Sequence, residues 1–195
     1  MGAAMNDRSG KAIPGPEPIA VAPPGKALYV ALGVIFALGP VAILLASLSG
    51  VSGELPAERL PAVLGLVVLI ELPIVALLGW IATRRAADVS DGRLDVRAAF
   101  YRKRVPLADL DLDGARIVDL REKRELRPGL KTNGYALPGF AAGHFRDRQG
   151  NRLFCLVTRP RNLWLPLSDG SRMLLSAEHP TEALQALRER AWSER

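Results

Sequence analysis

The feature that most limits what this chain can become is a stretch without charge. From Ala27 to Leu48 (ALYVALGVIFALGPVAILLASL) there is no Asp, Glu, Lys or Arg. As an α-helix rising about 1.5 Å per residue it would be about 33 Å long, enough for a hydrocarbon core of about 30 Å. A helix of a soluble protein would keep a polar face, and this one has none. A secretory signal is the other reading of an early apolar run. Its apolar core is typically about 7–15 residues with a small-residue cleavage site after it, and neither condition is met. A second run, Pro61–Thr83, carries one charge, Glu71, and is closed by Arg84-Arg85. The short polar linker Ser49–Leu60 joins the two. Residues 27–85 are therefore predicted to form a transmembrane helical hairpin with spans at 27–48 and 61–83.

The cations set its orientation. Arg8, Lys11 and Lys26 precede the first span, only Arg59 lies between the spans, and Arg84, Arg85, Arg93 and Arg97 follow the second. The positive-inside rule puts both termini in the cytoplasm. A leaning toward Ala, Arg, Leu, Gly and Pro points to a GC-rich bacterial genome, so a multi-pass protein of a bacterial inner (plasma) membrane is expected. The net charge of +6, from 26 Lys+Arg against 20 Asp+Glu, fits that topology. Nucleic-acid binding would call for aromatics interleaved with arginines; only Phe100 and Tyr101 qualify, so no nucleic-acid partner is expected.

Residues 1–26 are rich in Pro, Gly and Ala without a hydrophobic period and are expected to be a disordered tail. After Arg85 the texture changes to short alternating runs. Strands are predicted at Arg93–Ala98 and, longer, at Phe100–Leu112. A hairpin at Asp113-Gly114 would return through Ala115–Leu120. Arg121–Gly143 reads as irregular. Further strands are predicted at His144–Asp147, Arg152–Thr158, Asn162–Leu167 and Ser171–Leu175. A helix begins at Pro180, with Ala183, Leu184, Leu187 and Ala191 at helical spacing. The fold class expected is an α+β membrane protein: the hairpin, then a domain over 88–195 of about seven antiparallel strands and a C-terminal helix.

That order of elements is the outline of a pleckstrin-homology (PH) fold. Residue-level similarity lies in Thr132-Asn133-Gly134, Leu137-Pro138-Gly139-Phe140 and Ala142-Gly143-His144-Phe145. It continues in Gly150, Val157-Thr158, Leu165-Pro166-Leu167, Asp169-Gly170 and Leu174-Leu175-Ser176 leading to Pro180. The chain thus resembles the bacterial PH-like domains found behind two N-terminal transmembrane helices. These motifs are glycines, prolines and apolar strand residues, which specify shape. The resemblance implies a binding or scaffolding module and brings no catalytic or ligand-binding residues with it.

Chemical motifs are few. Asp109–Gly114 resembles the first half of a calcium loop, but positions 8 and 12 of that loop would be Arg116 and Leu120, which cannot serve. His144 and His179 stand beside structural punctuation. Cys155, the one cysteine, lies in an apolar strand and excludes an internal disulfide. No nucleophile elbow, zinc-protease helix or P-loop occurs. No catalytic residue, metal or cofactor is expected.

Two basic clusters are candidates for lipid or partner binding: Arg102, Lys103 and Arg104, and, in the loop Arg121–Lys131, Arg127 and Lys131. Each is either solvated surface or a contact with anionic lipid headgroups, and a protein partner of unknown identity is expected as well. Glu71 lies mid-span, where a charged acid costs about 2.5–3.5 kcal/mol on insertion scales, and the first span holds no base to pair with it. Pro40 and Pro73 free the carbonyls of Phe36 and Leu69. A neutral Glu71 would donate to one of them, within or between hairpins, so an oligomer is compatible. Two readings follow. The first is a membrane-anchored PH-like binding or scaffolding module on the cytoplasmic face. The second is an accessory subunit of a membrane transporter or channel that uses Glu71.

Overall fold

The computed structural model describes residues 17–49, 56 and 58–193. After a two-residue strand at Glu17–Pro18 come two helices, α1 (Lys26–Ser49) and α2 (Leu60–Thr83), each continuous through an internal proline, Pro40 and Pro73. Both are long and apolar enough to cross a membrane, with mean hydropathies of 2.5 and 2.6. Leu38, Leu45, Leu69 and Leu77 stand exposed along them. Such side chains are unfavourable in water and at ease in hydrocarbon. Most of the predicted linker Ser49–Leu60 lies outside the described residues.

Two sheets follow. The first is antiparallel, in the order β1 (Glu17–Pro18), β2 (Arg85–Ser90), β3 (Arg93–Ala98), β4 (Tyr101–Pro106). The second comprises β5 (Arg116–Asp119), β6 (Lys131–Leu137), β7 (Phe140–Arg146), β8 (Arg152–Val157), β9 (Arg161–Pro166) and β10 (Arg172–Leu175). Its order is β5-β9-β10-β8-β7-β6, antiparallel except where β8 meets β10. A C-terminal helix, α3 (Pro180–Ser193), buries Leu184 and Leu187.

The domain after α2 thus holds nine strands among the described residues, more than the seven expected. Strand β2 starts one residue after α2. Its turn to β3 is Asp91-Gly92, with φ of 50° and 67°, a two-residue hairpin of the kind Asp-Gly favours. The Asp-Gly signal for this turn stands in the sequence. Asp113-Gly114, read as a hairpin, is not one: β5 pairs with β9, and the chain there crosses from one sheet to the other. The Asp111 carboxylate accepts the Gly114 N–H at 2.9 Å and shapes that crossing. The stretch Arg121–Gly143 is regular in its second half, where Pro138-Gly139 turns β6 into β7 and β7 begins at Phe140.

The main core lies between the sheets. Leu94, Val96 and Val105 meet Phe154, Leu156, Leu163, Leu165, Met173 and Leu175, with Leu187 of α3. Gly143, at φ 107°, leaves room for the Tyr101 ring of β4, which a Cβ would meet at 2.7 Å. The six-stranded sheet is apolar on its outer face too: Phe145, Leu153, Cys155, Val157, Trp164 and Leu174 form a second layer, with Leu126 packed on it. Alternation along β8 sends Phe154 and Leu156 inward and Leu153, Cys155 and Val157 outward.

The hairpin is part of this core. Leu28 and Leu32 of α1 and Ala82 of α2 are 1%, 6% and 1% exposed and belong to the inter-sheet cluster. The Tyr135 hydroxyl of β6 donates to the Leu78 carbonyl of α2 at 3.3 Å. The expected disordered tail over 1–26 is corrected from Glu17 onward, residues 1–16 lying outside those described. Ile19 N–H donates to the Ala87 carbonyl at 2.8 Å and Ala22 N–H to that of Ser176 at 2.9 Å. The buried Thr158 hydroxyl donates to the Ala22 carbonyl at 2.8 Å. Ile19, Val21 and Ala22 supply apolar contact where composition suggested none.

Leu28→Ala should therefore lower the stability of the full chain by about 2–5 kcal/mol, as should Leu187→Ala, each leaving a cavity in one core. Denaturant midpoints in mild detergent, followed by tryptophan fluorescence, measure both. A loss seen for Leu187→Ala alone would mean that α1 is not part of the domain.

Candidate functional site

Strand alternation divides the basic run of β4. Arg102 and Arg104 face one way and meet Asp95 of β3: the Arg102 Nε donates to Asp95 Oδ1 at 2.8 Å and the Arg104 Nε to Oδ2 at 3.3 Å. Arg97 joins at 3.7 Å. Asp95 is only 7% exposed, and the Arg102 guanidinium holds its carboxyl below the usual carboxylate range despite the opposing effect of burial. Lys103 faces the other way, where its ammonium donates to Ser171 Oγ at 3.3 Å, and burial lowers its pKa. The three residues read as one patch are thus two arginines answered by an acid and one half-buried lysine directed to the second sheet. The strand period carried this information; the role of Asp95 required knowing that β3 lies beside β4.

Arg127 and Lys131 have different surroundings. They line a cavity of about 810 Å³ at the foot of α1. Its walls are Gly25, Lys26 and Ala27, the connection 120–131, the β6–β7 hairpin, and the turn Thr158–Pro160. Leu120, Ala141, Phe145 and Val157 of the outer layer form an apolar floor. Among the described residues, Arg121, Arg159 and Lys26 bring the cations to five, and no acid lines the cavity. The Arg127 Nε donates to the Leu120 carbonyl at 2.5 Å, which fixes its stem. Gly139, where the β6–β7 turn meets α1, sits so close that a Cβ would lie 3.0 Å from that of Ala27. Lys26 and Arg159 were not anticipated: nothing local links them to each other or to the 121–131 loop.

Glu71 points into the contact between α1 and α2. Its carboxyl rests where Gly39 has no side chain; a Cβ there would run into the carboxyl and come within 2.9 Å of Val67 Cγ1. The Oε2 atom is buried without a hydrogen-bond partner among the described residues. The expected donation to the carbonyl of Phe36 or Leu69 is not made, because the glycine notch receives the carboxyl instead.

The Asp95 cluster carries a pH dependence. Its folded pKa lies below the unfolded value of about 3.9, so its stabilisation is complete above that value and is lost as pH falls through the lower, folded one. Asp95→Asn lacks it at every pH. The wild-type protein should unfold at higher denaturant than the variant at about pH 7, and the gap should close on acidification below about pH 4. A gap that stays constant down to about pH 3 would remove the carboxylate from the stability of β3 and β4.

A sequence profile of the bacterial PH domain family matches residues 86–191, from the start of β2 into the last turn of α3. Neither curated proteins nor solved structures gave a match. The matched segment contains both sheets from β2 onward, the core between them and the capping helix, the arrangement built up above. Domains of this family are typically non-catalytic binding modules. Over more than half its length, and behind two helices able to span a membrane, this chain belongs to the bacterial PH domain family.

Proposed function

We propose that the protein is a membrane-anchored binding or scaffolding module, its PH domain held at the cytoplasmic face of a bacterial inner membrane with both termini in the cytoplasm. The observation that carries this reading is the burial of the domain-side ends of α1 and α2 in the inter-sheet core. Beyond Leu32 α1 continues to Ser49 and before Ile81 α2 runs from Leu60, about 25–30 Å of apolar helix, close to one bilayer crossing. At the domain-side ends Tyr29 and Trp80 are exposed, and the Arg84 guanidinium stacks 3.9 Å from the Trp80 ring. Aromatics next to cations are the usual composition of a membrane–water boundary. Lys26, Arg84 and Arg85 at the same end, with only Arg59 at the other, support the cytoplasmic side. Function by binding rather than catalysis follows the habit of the family, and a protein partner fits the same anchored geometry.

One observation favours a second reading, an accessory subunit of a transporter or channel: the partnerless carboxylate oxygen of Glu71 inside the hairpin. Glu71→Gln keeps the shape and removes the acid. A binding module should keep its membrane level and unfolding midpoint with this change, and proteoliposomes of either form should show no proton or cation flux. Flux that the substitution abolishes would establish the second reading.

The topology has its own measurement. A reporter active only outside the cytoplasm should work when inserted in residues 49–60 and fail when fused after Arg195, and alkaline carbonate should leave the chain in the membrane. The opposite reporter pattern would overturn the orientation.

A further inference from the structure

We propose that the cavity at the foot of α1 binds one anionic phospholipid from the leaflet facing the domain, an inference that rests on the membrane-anchored reading and gives it a ligand. Charge is the first argument. Lys26, Arg121, Arg127, Lys131 and Arg159 come together from three separate segments around one opening. Among the described residues, none forms an ion pair with an acid and no acid lines the cavity. On β4 the same chain answers its clustered arginines with a buried aspartate. Here it supplies no counter-charge, and like charges held around a low-dielectric floor repel unless an anion joins them. Guanidinium groups match a phosphate through paired N–H donors, and Arg121, Arg127 and Arg159 provide three of them.

The floor decides which phosphate. An inorganic ion or a sugar phosphate would make no use of Leu120, Phe145 and Val157, which line the cavity beneath the cations. A volume of about 810 Å³ also exceeds what a lone anion fills and suits a headgroup with the start of its acyl chains. Location agrees. The cavity is walled by the first residues of α1, and the exposed Tyr29 lies about one turn further along that helix, at the level where headgroups sit. Leu130, next in sequence to the lining residues Gly129 and Lys131, is 69% exposed, an apolar side chain that a lipid-facing position would use.

The test uses the full chain in mild non-ionic detergent, titrated with phosphatidylglycerol carrying a fluorescent acyl chain, and with phosphatidylcholine of the same chains. Preferential binding of phosphatidylglycerol is expected. Lys131→Gln with Arg159→Gln should weaken it about 25-fold, at about fivefold for each cation removed. Neither side chain makes a hydrogen bond or ion pair among the described residues, so the fold should survive, as an unchanged unfolding midpoint would confirm. Ala136→Trp, which fills the cavity without altering charge, should weaken binding as well. Arg148→Gln with Arg161→Gln removes two exposed cations outside the cavity and should leave it unchanged. Equal binding of the two lipids, or equal loss in both double variants, would overturn the site. So would full competition by glycerol 3-phosphate, which would mark a site for a free phosphate. Displacement of the lipid by an acidic peptide at equal concentration would reassign the cavity to a protein partner. A chain that binds phosphatidylglycerol yet leaves membranes in alkaline carbonate would overturn the anchored reading alone. One that stays in membranes without preferring phosphatidylglycerol would overturn the lipid site alone.

Discussion

Burial of Leu28 and Leu32 of α1 and Ala82 of α2 between the two sheets is the contact from which the rest of the arrangement follows. Fully burying one leucine contributes about 1.5–3 kcal/mol, so these side chains hold the helix ends as firmly as strand residues are held. With the ends fixed, β2 has no linker in which to swing. Arg84 closes α2 through its N–H to the Ile81 carbonyl at 3.1 Å, and its own carbonyl accepts the Ala99 N–H at 2.7 Å. The segment before α1 is drawn in as well, pairing with β2 on one side and with Ser176 on the other. Chain on both sides of the hairpin thus belongs to one body, and whatever the domain binds is held at a fixed height above the helices.

The second constraint is the six-stranded sheet, apolar on both faces. The first sheet and α3 cover its inner face, while the connection 120–131 lies over part of the outer one, pinned by Leu126 and by the Arg127 bond to Leu120. That connection leaves the floor open next to α1 and brings its cations to the edge of the opening. The two basic regions of the domain therefore differ in kind. On β4 the charges are balanced within the sheet and serve its stability. At the foot of α1 they stand over an apolar surface with no acid among the described residues lining it, the arrangement the proposed amphiphile would need.

Within the hairpin, Gly39 and Glu71 form a matched pair. The glycine allows close approach of the helices and the acid fills the space it leaves. The Glu71 Oε2 is the one buried side-chain polar atom without a hydrogen-bond partner among the described residues.

The sequence by itself determined the two apolar helices, because absence of charge over that length admits few folds. It also determined the positions of β3, β8, β9, β10 and α3 within a residue or two, since alternation and the N1 proline are local signals. The PH family was legible through the glycines and prolines of its turns. It did not determine β1, whose two residues become a strand only because β2 offers an edge, nor the start of β7, hidden in a stretch full of turn residues. The candidate site was half legible: Arg127 and Lys131 were visible as charges, but so were Arg102 and Arg104. Tertiary structure separated them. Asp95 reaches the β4 arginines by strand register, and Lys26 and Arg159 reach the cavity by folding across more than half the chain. Whether a charge is balanced depends on neighbours in space, and a linear chain specifies those only once its apolar surfaces have closed on one another.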